Sequence, residues 1–209
     1  MIKYILLLLS VYSYCQKREF TFAPGSDTLS YHYIKKDNLK YGNDPIENDN
    51  GDYSFRFSYN YTAITVYKLG SLSFGDIRIG IFGLDEVAPD DTITMTFSLK
   101  PHQAIAILKL IQETNIDSIP DDEKVPGWQH GYDGITYSIE SKHNSSYSLK
   151  NYWTPRAQRD LPEAIIVEEF KTRIRQIIGM EALYQTFEKL IPFRSYSYGD
   201  GILISRAYT

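Results

Sequence analysis

Residues 133–153 read DGITYSIESKHNSSYSLKNYW, and residues 160–179 read DLPEAIIVEEFKTRIRQIIG. In the first stretch Ile135, Tyr137 and Ile139 alternate with Thr136, Ser138 and Glu140, and Tyr147 and Leu149 alternate with Ser146, Ser148 and Lys150. A period of two is the mark of strands with one dry and one wet face. A turn centred near His143 sets Ile139 opposite Tyr147 and Tyr137 opposite Leu149, all on the buried side.

In the second stretch the period becomes 3.6. Ile166, Val167, Phe170, Ile174, Ile177 and Ile178 form one stripe, while Glu168, Glu169, Lys171, Arg173 and Arg175 fill the rest, with Glu169 and Arg173 spaced as an i,i+4 pair. Asp160 and Glu163 have capping-box spacing, Pro162 suits a first turn, and Gly179 suits a left-handed stop. Burying the six apolar residues is worth roughly 10 kcal/mol gross, an upper bound before entropy. The nearest dry surface is the hairpin, so sheet plus covering helix is the expected nucleus.

Outward from there, Tyr53, Phe55, Phe57, Tyr59 and Tyr61 alternate with Ser54, Arg56, Ser58 and Asn60, and the pattern drifts on to Tyr67. So long a strand would exceed about 50 Å, so a bend or turn is expected near Asn60 or Gly70. Further strands are expected around Ile77–Ile81 and over Thr92–Leu99, the latter with a threonine row on one side. Phe20-Thr21-Phe22 and Ser30–Ile34 suggest two more, and Tyr41–Asp52 reads as an exposed polar loop. Helices are expected from Pro101 to about Glu113, apolar around most of its circumference and so the most buried, and over Glu181–Leu190. A last hairpin turning at Gly199-Asp200-Gly201 closes the chain. The fold class is α+β: a mainly antiparallel twisted sheet of hairpins covered by two or three helices, as one domain over 16–209.

The chain opens with Lys3, an apolar run through Leu9, and Ser13 and Cys15 at cleavage-site spacing, so residues 1–15 read as a signal peptide. The run is shorter than the roughly 20 residues a membrane span needs. Tyr12 and Tyr14 fit a lipoprotein box poorly, which disfavours a lipid anchor at Cys15. Expected is an exported protein, periplasmic or secreted, whose mature chain lacks cysteine and hence disulfides, thiol nucleophiles and Cys-ligated metals.

The formal charge is -4, and losing Lys3 makes it one unit more negative. With no basic stripe, nucleic acid is excluded as an expected partner. Calcium-loop spacing fails around Gly51, where Ile46 and Phe57 would fall at the obligatory carboxylate positions. The acidic groups Asp85/Glu86/Asp90/Asp91 and Asp117/Asp121/Asp122/Glu123 also lack ligand spacing. No cofactor and no metal are expected, and there is no nucleophile elbow, zincin helix or phosphate loop.

The best local constellation is Trp128, His130, Tyr132 and Asp133 at one end of the hairpin with Tyr152, Trp153 and Arg156 at the other, Asp133 lying across from Trp153. Aromatics beside polar hydrogen bonders suit a protein hot spot or a sugar. The expected function is therefore non-catalytic binding, with another protein as partner. The alternative is a glycan-binding module or cell-wall glycan hydrolase using the Trp128/Trp153 edge.

Overall fold

The computed structural model describes residues 20–84, 92–198 and 203–206. The leader-like segment, the acidic stretch 85–91 and the turn at Gly199–Gly201 lie outside them.

Nine strands form one sheet: β1 (Thr21–Phe22), β2 (Tyr53–Tyr59), β3 (Thr62–Leu69), β4 (Leu72–Gly83), β5 (Thr92–Ser98), β6 (Thr136–His143), β7 (Ser146–Trp153), β8 (Ser195–Ser197) and β9 (Leu203–Ser205). Four helices accompany it: α1 (Tyr31–Lys40), α2 (Pro101–Thr114), α3 (Pro162–Ile178) and α4 (Met180–Glu188). The strand order is β1-β7-β6-β2-β3-β4-β8-β9, with β5 on the other edge of β4. All pairs are antiparallel except β1 with β7, so the fold is α+β with a mostly antiparallel sheet.

The long aromatic alternation breaks into β2 and β3 at a two-residue turn in which Asn60 and Tyr61 have φ of 45° and 53°. Positive φ at both central positions gives the twist that hairpins favour, and Asn tolerates it. A second turn follows at Gly70, with φ of 58°.

On one face of the sheet lie Phe55, Phe57, Ile64, Val66, Ile77, Ile79, Tyr137, Ile139 and Tyr152, all nearly inaccessible. They pack against Ala104, Ile107, Leu110 and Ile111 of α2 and Val167, Phe170 and Ile174 of α3. Gln103 Nε2 joins the two helices, donating to the carbonyls of Ile177 and Ile178 at 3.1 and 3.3 Å, where α3 has left its last acceptors free. Gly179, at φ of 68°, then stops α3 as expected.

The other face holds the corrections. The hairpin turns at Asn144–Ser145, so Ile139 pairs with Lys150, Tyr137 with Tyr152 and Thr136 with Trp153. The expected register is off by three residues, and an odd slip reverses the side chains. Tyr147 and Leu149 therefore leave the helical face for the second one, where they meet Tyr31, Ile46, Phe20 and Ile34 in a smaller cluster. Ser30–Ile34 is no strand: it opens α1, which includes His32, after the Asp27 carboxylate collects the amides of Leu29 and Ser30. Nor is Tyr41–Asp52 wholly exposed, since Tyr41, Asn43, Ile46 and Glu47 are buried beneath it.

Three helix details also differ. Leu161 stands at the N-cap of α3 with no side-chain cap, so the Asp160/Glu163 box does not form. Arg173 pairs with Glu113 of α2 at 2.6 Å rather than with Glu169. Ile105 is 58% exposed, so α2 buries one side only.

Candidate functional site

The tryptophan edge is built from the strand it borders. Beyond its short pairing with β1, strand β7 has unpaired amides, and two neighbouring carboxylates take them. Asp121 Oδ2 accepts from Asn151 N at 2.8 Å and Asp122 Oδ2 from Trp153 N at 2.6 Å. The acidic loop thus stands in for a missing strand, closing an edge that would otherwise be open. Burial pushes the Asp121 carboxyl up, and the bonds from the Asn151 and Glu123 amides only partly offset it.

Trp128 is buried, its indole N–H donating to the Trp153 carbonyl at 2.9 Å and its ring lying 5.9 Å from that of Tyr152. Tyr152 is fully buried and donates to the Ile119 carbonyl at 3.1 Å. Trp153 is half-buried because Gly131 and Gly134 lie against its ring, where a Cβ on either glycine would come within 3 Å of it. Asp133 does not pair across from Trp153; that position belongs to Thr136.

Of the seven expected residues, Trp128 and Tyr152 are buried and Trp153 is half-buried. His130, Tyr132, Asp133 and Arg156 remain exposed, Tyr132 completely so. His130 Nε2 approaches Asp122 Oδ2 at 3.2 Å. Asp122, Glu123 and His130 could offer metal-ligand atoms within 4.8 Å of one another, but Asp122 is already committed to the Trp153 amide. Arg156 faces away, toward α3, where it helps line a shallow hollow with Ile165 and Lys171.

Two features escaped the sequence reading. One is the outer edge of β5. Among the described residues no strand lies beyond it, and its inward side chains Ile93, Met95 and Phe97 are only partly buried against the main core. The segment TITMTFS carries no proline and no charge. Its wet side presents Thr94, Thr96 and Ser98, continuous with Tyr67 stacked on Phe74 and with the half-exposed Leu69 and Leu72.

The other is a concave site where the β2–β3 turn meets α3 and α4. A cavity of about 290 Å³ is lined there by Tyr59, Asn60, Tyr137, Lys171, Arg175 and Tyr184, together with Ile135, Glu181, Glu188 and Tyr198. Lys171 donates to the Tyr137 hydroxyl, which in turn donates to Glu168 at 2.8 Å. Burial pushes the Tyr137 hydroxyl up, helped by Glu168, and burial pulls the Lys171 ammonium down. The count of 18 tyrosines was the only signal, and it gave no location.

Among the described residues no helix is long and apolar enough to cross a membrane. Compared with protein-family models, curated proteins and solved structures, the chain gives no match.

Proposed function

We propose that the protein is an exported, non-catalytic binding domain whose partner is another protein, engaged by strand addition at β5. The observation that carries this reading is the outer edge of β5, unguarded among the described residues. Natural sheets blunt such edges with prolines, lysines, bulges or covering loops, and this same protein spends Asp121 and Asp122 on closing the edge of β7. β5 has no proline, lysine or bulge within its span, while Ile93, Met95 and Phe97 carry the apolar core to the rim. An extended segment of the partner would gain main-chain hydrogen bonds from the edge. Its specificity would come from apolar side chains at alternate positions, laid beside Ile93, Met95 and Phe97. The Leu69/Leu72/Phe74 corner supplies a neighbouring apolar contact.

Photocrosslinking from the envelope of the producing cell tests this. A photoreactive residue at Met95 should give one dominant adduct with a second protein, through an extended segment of it. The same probe at Glu169, exposed on α3, should give none. Equal labelling from both positions, or no adduct at Met95, would overturn the proposal.

A further inference from the structure

After β7, at the other side of the sheet from β5, the chain makes a short 3₁₀ turn over Pro155–Ala157 and enters α3. The backbone there is pinned. Ala157 N and Gln158 N donate to the Thr154 and Pro155 carbonyls, each at 2.9 Å. The buried Gln158 donates from Nε2 to the Gln129 carbonyl at 2.6 Å, and its Oε1 accepts from the Gln129 amide at 3.2 Å. On this fixed frame Arg156 and Arg159 are both exposed and both line a hollow of about 640 Å³ against α3. Three residues apart, their Cα atoms are at most about 11 Å from each other, within the joint reach of two such long side chains.

Charge selects what this hollow takes. Arg156, Arg159, Lys171 and Arg173 line it with only Glu168 and Glu169 as carboxylates, in a chain whose formal charge is -4. Lys171 is engaged by the Tyr137 hydroxyl and by Glu168 at 3.7 Å, and Arg173 by Glu113 at 2.6 Å. Arg156 and Arg159 form no ion pair or side-chain hydrogen bond with any described residue. Asp160 and Glu163, which follow Arg159 in sequence, do not line the hollow. Two unpaired guanidinium groups thus outnumber the one unpaired carboxylate, Glu169. Repulsion is already felt there: burial first, and then Arg175 and Arg156 against the pull of Glu168, bring the Lys171 ammonium down. An arriving anion relieves it.

We propose that the hollow binds a small organic phosphate, its phosphate group held between Arg156 and Arg159 and its body laid against Ile165. One guanidinium fork fills the two oxygens of a carboxylate. A phosphate monoester offers three acceptor oxygens and up to about two negative charges at pH 7, which suits two forks. The body follows from the size and the floor: about 640 Å³ falls within the range of small-molecule sites, about 300 to 1,000 Å³, and Ile165 is 45% exposed. The pinned backbone keeps the ordering cost of binding low. The site is independent of β5, so either can fail without the other.

Calorimetric titration of the purified protein at low ionic strength tests it, with phenyl phosphate as the probe and inorganic phosphate, benzoate and phenol as comparisons. Phenyl phosphate should saturate the protein below about 10 mM. It should bind more tightly than inorganic phosphate, which lacks the body, than benzoate, which has two oxygens, and than phenol, which has no charge. Arg156→Gln and Arg159→Gln should each weaken it about tenfold or more, and both variants should fold, since neither side chain has a partner to lose. Lys109→Met, on the exposed side of α2 and outside the hollow, should leave the affinity unchanged. No saturation by phenyl phosphate, equal or tighter binding of any comparison compound, indifference to either arginine variant, or an equal loss in Lys109→Met would overturn the proposal.

Discussion

Arg56 and Glu140 face each other across β2 and β6 on the side of the sheet away from α2 and α3, with side chains only 1% and 4% exposed. The guanidinium donates to Glu140 Oε2 at 3.3 Å, to Thr65 Oγ1 at 3.2 Å and to the Asp44 carbonyl at 2.6 Å. Glu140 accepts in addition from Asn38 of α1 and from the Tyr147 hydroxyl, each at 2.9 Å. Every part of the pair is served, which is what makes its burial tolerable. Arg56→Met should cost about 3–5 kcal/mol in urea unfolding by stranding the carboxylate. Adding Glu140→Gln should recover part of the loss, because the charge is removed while an amide oxygen stays for Asn38. A silent Arg56→Met would mean that the pair is solvated. Asp27 gives a pH signature. Burial pushes its carboxyl up, but bonds from Ser30, Asn151 and Leu29 outweigh this and hold it below the ordinary 3.8. With a lowered folded pKa, its stabilisation is present above 3.8 and is lost as pH falls through the lowered value. In unfolding titrations from pH 6 downward, Asp27→Asn should lack that loss, so its deficit against the wild type should shrink in acid.

Among the elements, β7 shows how an edge is closed by side chains. Asp122→Ala should free the Trp153 amide, cost about 1–3 kcal/mol and speed hydrogen exchange at Trp153. Unchanged protection there would show that the carboxylate is dispensable. The same strand explains what the sequence could and could not reveal. β2 to β5 and α3 were legible because apolar residues recur on one side, at period 2 or 3.6, and α2 because its apolar residues run from Ala104 to Ile111 behind Pro101. β7 is buried on both faces, with Tyr152 in the main core and Tyr147 and Leu149 in the second cluster. Its alternation fixed the strand but not which set faced the helices, and the register slipped. α1 was missed because its inward positions Tyr31, Ile34 and Asn38 include an amide that serves Glu140. A stripe with a polar anchor does not read as apolar periodicity. The tryptophans drew attention for their size; Trp128 is buried and Trp153 is half-buried. The β5 edge and the Asn60 cavity depend on what lies beside them in space, which spacing along the chain cannot convey.

Across the whole molecule, the sheet divides into a finished part and an unfinished one. β7, β6 and β2 are covered on both faces, by α3 on one and by α1 and its buried polar network on the other. Toward β5 the second face is wet, α2 reaches β3 and β4, and the core thins to half-buried side chains. A scaffold closed with care on one side and, among the described residues, open on the other is suited to completion by a partner's strand. Amide hydrogen exchange over Thr92–Ser98 measures this most directly, comparing the free protein with the protein bound to the partner segment crosslinked from Met95. Strand addition requires that the amides of Thr94, Thr96 and Ser98, which alternate with those bonded to β4 and point to the open edge, exchange fast when free and become protected on binding, with β7 unchanged. Protection that arises elsewhere while Thr92–Ser98 stays as in the free protein would contradict it.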